Sequence, residues 1–183
     1  MQQAFVYDQV AVLVRHWFEI DLDDSHLEHG ARLEVRWLVP QERRGTESAA
    51  QKIVVDEPLW RADLFDRLDG PPGNFAAAHF HPYFKGVEPS ERDYLREDPW
   101  EWLRGQLADV GAASGVPLDA GDVAGVRADA EEIVAAARRR AATECTSMER
   151  CHAWTRDARE AVRLMLDQLA RPDLLDRERT ALW

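Results

Sequence analysis

In the stretch GNFAAAHFHPYFKG, residues 73–86, His79 and His81 sit two apart in a short apolar run. Alternate side chains of an extended strand share a face. Both imidazoles would then project together and could reach one transition-metal ion, zinc or iron, given further donors from elsewhere. If the chain folds back around Pro71, Asp63 falls opposite His79 and Arg61 opposite His81. Asp63 could then complete the ligand shell or fix a histidine tautomer from behind. His16, on the apolar-patterned face of an earlier strand, and Glu88, in the segment after the pair, are the remaining candidate ligands. The plainer alternative is that both histidines pack in an aromatic-rich strand and hydrogen-bond to the backbone.

Gly73, five residues, then His79, Phe80 and His81 resemble the opening half of the first cupin motif. That resemblance implies a small β-barrel holding iron, manganese, zinc or nickel through histidines and a glutamate. The chain departs from the pattern soon afterwards. The family's glutamate should follow the second histidine by four or five positions, whereas the first glutamate after His81 is Glu88. Pro82 marks a strand end, and no second half-motif follows where helices are predicted.

Other chemistry is sparse. No glycine-rich phosphate loop, G-x-S-x-G elbow, H-E-x-x-H or CxxC pair occurs. His26 and His29 lie with Asp23, Asp24 and Glu28 in what reads as a polar turn. Cys151 and His152 are neighbours on a predicted helix, where adjacent side chains diverge by about 100°.

Composition narrows the class. The 183 residues carry a formal charge of −11, with 45% hydrophobic and 31% charged residues. After residue 120, eleven arginines meet twelve acidic residues, so nearly all the excess negative charge lies in the first 120. That balance opposes nucleic-acid binding, which needs a dense positive surface. VAVLVRHWFEI is too short to span a bilayer, so no membrane association is expected. Cys145 and Cys151, six apart in a helical pattern, point in different directions and suggest reduced thiols in a cytoplasmic protein.

Elements follow from periodicity. Residues 9–20 and 31–39 alternate at period two, KIVV reads as a third strand, and residues 75–81 read as a further strand after the DGPPGN turn. Residues 58–68 fit either a helix or a strand, with a hairpin onto 75–81 favoured. Asp98, Pro99 and Glu101 form a helix start of capping-box type. From Arg127 to Arg171 there is neither glycine nor proline, and apolar residues recur at three-four spacing. The break at TECTSMER makes this an antiparallel hairpin or one long helix with a phase shift.

The expected fold is α+β. A four- to five-stranded N-terminal antiparallel sheet precedes three helices, the last two forming the hairpin. Residues 1–112 would form a β-domain closed by a helix, and 113–183 the helical part. The main functional expectation is a non-enzymatic interaction or regulatory module, with self-association or partner docking through helices 122–170. The alternative is a metal-dependent enzyme built on His79 and His81.

Overall fold

The computed structural model describes residues 2–20, 27–40, 53–82, 84–85, 88–89 and 91–142, together with 156, 159–160 and 162–164. The chain divides into two compact units, Met1–Thr143 and Glu144–Trp183. In the second, the described residues are helical, and Arg163 pairs with Glu160 one turn away.

The first unit is built on a sheet. β1 (Gln2–Val6), β2 (Val10–Ile20), β3 (Leu27–Pro40), β4 (Ile53–Arg67), β5 (His79–His81) and β8 (Asp93–Tyr94) lie side by side in that order. Every neighbouring pair is antiparallel. β6 (Phe84–Lys85) and β7 (Glu88–Pro89) form a separate two-stranded ribbon. The six strands lie in one open sheet, so the closed barrel that the cupin resemblance implies is not the architecture here.

Strict alternation gives the sheet two unlike faces. Val10, Val12 and Val14 of β2, Ala31, Leu33 and Val35 of β3, and Trp60, Ala62 and Leu64 of β4 are all buried on one face. They form a single cluster with Leu103 and Leu107 of α1 (Pro99–Ala108) and with Ile133, Val134, Ala136 and Ala137 of α4 (Ala130–Ala141). Each large aliphatic side chain withdrawn from water contributes about 1.5–3 kcal/mol, so this layer holds helices to sheet. The opposite face carries Arg15, Arg32, Glu34, Arg61, Asp63, His79 and His81, and it positions the site.

Several expectations need correction. The main sheet has six strands because Gln2–Val6 also pairs, along β2, and a two-residue strand flanks β5. Ile53–Val55 of the KIVV segment and residues 58–67 belong to one strand, and the helical alternative for 58–68 does not occur. Pro58 is tolerated inside β4 because it sits opposite Arg36, where the register with β3 shifts. Residues 75–78 are turn rather than strand, with Phe75 in the left-handed region at φ 50°.

The helices number four between Pro99 and Ala141, where three were expected in the whole chain. Asp98 caps α1 as predicted, accepting from the amides of Trp100 and Glu101. Asp109 then caps the short α2 (Val110–Ser114), which ends at Gly115 in the left-handed region, φ 68°. α3 (Ala120–Ala128) and α4 are separated at Asp129, within the run read as uninterrupted helix. The Tyr7 hydroxyl donates to Asp129 Oδ2 at 3.0 Å, and Asp122 accepts from the amides of Asp8 and Gln9 at 3.0 and 2.9 Å. These bonds tie both helices to the β1–β2 turn. TECTSMER and most of the second half of the expected hairpin lie outside the described residues. Among the described residues, no helix is long and apolar enough to cross a membrane.

Candidate metal centre

The loop between β4 and β5 delivers the histidines in register. Asp66 accepts the Gly73 amide, Asn74 Oδ1 accepts the Ala76 amide at 3.0 Å, and the Ala78 amide donates to the Phe75 carbonyl at 2.9 Å. β5 therefore meets β4 with Asp63 opposite His79 and Arg61 opposite His81, the pairing expected from folding around Pro71. The same register runs on across the sheet. Arg15, Arg32, Asp63, His79 and Tyr94 form one row over five strands.

Asp63, His79 and His81 converge, each offering one ligand atom within 4.8 Å of the others, and such a group can coordinate a transition-metal ion. Asp63 and His79 are 0% exposed and His81 is 3% exposed. His79 Nδ1 lies 2.8 Å from the Ala77 carbonyl, and His81 Nδ1 lies 2.6 Å from the Glu91 carbonyl. A carbonyl only accepts, so each neutral ring carries its proton on Nδ1 and leaves a lone pair on Nε2. Those two Nε2 atoms are 3.3 and 3.4 Å from Asp63 Oδ2. The His79 Nε2 contact lacks hydrogen-bond alignment, and that buried nitrogen has no hydrogen-bond partner. Lone pairs aimed at a carboxylate oxygen repel unless a cation lies between them. Ring protons committed to carbonyls behind the site are the usual support for metal-ligating histidine.

Arginines surround the carboxylate. Arg32 grips Asp63 with two bonds, Nε to Oδ1 at 2.6 Å and Nη2 to Oδ2 at 3.0 Å, and it also pairs with Glu19. Arg61 places Nε 3.2 Å from Asp63 Oδ2 and Nη2 3.0 Å from His81 Nε2. The first is a charge contact without hydrogen-bond alignment, since Arg61 Nε has no hydrogen-bond partner. Burial pushes the Asp63 carboxyl up, yet the group is held well below the usual carboxylate range, with the Arg32 guanidinium bonded to both of its oxygens. Burial pulls Arg61 below the ordinary guanidinium value, partly offset by Asp63, whereas Arg32 is raised by its bonds to Asp63 despite burial.

Aromatic rings wall the cluster. The Phe65 ring meets His79 edge-on at 5.9 Å, and Tyr94 lies 5.6 Å from the same imidazole. Gly30 stands opposite Phe65, where the β4 backbone comes so close that an added Cβ would stand 2.2 Å from the Leu64 carbonyl oxygen.

His16 lies apart from this cluster, and of Glu88 only the backbone position is described. His16 projects on the helix-covered face, where its ring is 6.2 Å from that of His29. Burial lowers the pKa of both. His29 itself belongs to β3 rather than to a polar turn. Glu88 falls in β7 of the separate ribbon. Sequence reading missed Arg32, because a charged residue on the polar face of an alternating strand looks solvent-facing. Its register opposite Asp63 was the available signal.

The cluster overturns the expectation of a non-enzymatic interaction module. A buried Asp-His-His group suited to a metal favours the enzymatic alternative. Moreover, Val126, Ile133 and Ala137, read as part of an association seam, are fully buried in the core of the first unit. No family model, curated protein or solved structure matches the chain.

Proposed function

We propose that this chain is a metal-dependent enzyme whose ion, zinc or iron, is held by His79 Nε2, His81 Nε2 and a carboxylate oxygen of Asp63. One observation carries the reading: both Nδ1 atoms face backbone carbonyls while both Nε2 atoms converge on Asp63 inside the protein. Two histidines and one carboxylate are a donor set that zinc and ferrous iron both accept, with a further position left for water or substrate. A bound ion supplies Lewis acidity to that water or to a substrate oxygen. Arg32 fixes the carboxylate, and Ala77 and Glu91 fix the rings. A cytoplasmic setting belongs to the same reading, on the strength of the two unpaired-looking cysteines in the sequence.

Elemental analysis of protein purified without an affinity tag tests it. The expected result is about one equivalent of zinc or iron, lost when His79 and His81 are both replaced by alanine. Less than about a tenth of an equivalent, with no uptake on titration, would remove the proposal. Complete burial of Asp63 and His79 favours a second reading, an ion that only staples β5 to β4. The two differ in whether a coordination position stays open to small ligands.

A further inference from the structure

We infer that Arg61 is an anion anchor beside the metal, so that the ligand of this site is a small oxyanion, phosphate or carboxylate in type. This rests on the metal reading above and extends it to a substrate class. Among the described residues, Arg61 makes polar contacts with Asp63 Oδ2 and His81 Nε2, and an ion on the cluster would take both atoms. A guanidinium and a metal cation cannot share those acceptors, because like charges at such short range repel strongly. Metal entry therefore turns Arg61 aside.

No carboxylate awaits it among the described residues. Glu19 is paired with Arg32 and Arg92, and Glu34 with Arg15 and Arg36. Among the described residues the Phe84 ring also neighbours it, 5.6 Å from the guanidinium carbon. A half-buried guanidinium with unused donors is best satisfied by a forked bond to an oxyanion. Direction agrees with charge. The Arg61 side chain is 12% exposed, against 0% for Asp63 and His79, 3% for His81 and 5% for Arg32, so Arg61 is the member of this group nearest to solvent. A ligand arriving there would meet Arg61 and the ion together, one oxygen on each.

Titration calorimetry on the full chain tests this, with zinc chloride alone and then inorganic phosphate or acetate. Arg61→Met should bind zinc about tenfold more tightly than wild type, since its internal competitor is gone. Phosphate or acetate should bind zinc-loaded wild type, bind the zinc-free protein far more weakly, and bind zinc-loaded Arg61→Met about tenfold more weakly or worse. The anion that binds tighter identifies the class. Arg61→Gln repeats each arm should the methionine variant fail to fold. Unchanged or weaker zinc binding in the Arg61 variants, or anion binding indifferent to Arg61 or absent, overturns the inference while leaving a histidine-dependent metal site standing. Zinc binding that is absent throughout, or that survives His79→Ala with His81→Ala, brings down the metal reading and this inference with it.

Discussion

The side chains at the centre of this protein are poised by proton placement. Asp63 stays ionised in a dry setting because the Arg32 guanidinium bonds both its oxygens, whereas burial on the other face favours the neutral forms of His16 and His29. The signs of the resulting pH dependence can be worked out. A histidine whose pKa is lowered in the fold binds its proton more readily when unfolded, so its share of stability is whole above about pH 6.5 and declines as pH falls. Asp63, also lowered in the fold, contributes fully above about pH 4 and loses that contribution in stronger acid. Urea unfolding across pH 8 to 3 should therefore show two declines, one through the histidine range and one below about pH 4. Replacing His16 and His29 by phenylalanine should flatten the upper decline and spare the lower one. The histidine pair and Asp63 were legible in the sequence because period two and one strong turn set their register. Arg32 was not, since its burial comes from the surrounding fold and not from its own strand.

At the level of strands and helices, local chemistry foretold what is local. The Asp98–Pro99–Glu101 start of α1 could be read directly, because all its partners lie within one turn. The interruption at Asp129 could not, because its partner Tyr7 is 122 positions away in the chain. β1 escaped notice for a similar reason: five residues of modest apolarity become a strand only when β2 is there to pair with. Gly30 shows how closely two strands can depend on a missing side chain. A methyl group there would strike the β4 backbone at the Leu64 carbonyl. Gly30→Ala should cost roughly 1–3 kcal/mol in urea-induced unfolding, because backbone must move to admit it. It should also loosen Phe65 against His79, visible as a drop in zinc affinity measured on folded protein.

For the molecule as a whole, the described members of the core cluster all fall within Met1–Thr143. A fragment of residues 1–143 should accordingly unfold in one cooperative transition, with helical and strand signals in circular dichroism close to those of the parent unit. A broad, non-cooperative melt would show that the core needs residues beyond 143. The charge pattern makes sense at this scale too: the helix-covered face supplies cohesion, leaving the opposite face free to bury a polar row. A sheet with two unlike faces can be both scaffold and receptacle.

His79 and His81 belong to a three-residue strand flanked on its outer side by a strand of only two residues. Few interstrand amide bonds hold that margin, so it should breathe more often than the long ribbons of β2, β3 and β4. Seating an ion there would work like a rivet through a fraying hem, fastening the margin to Asp63 in the sturdier fabric. Amide protons of residues 79–81 and 93–94 should then exchange with deuterium more slowly once zinc is added, while those of β2 and β3 keep their pace.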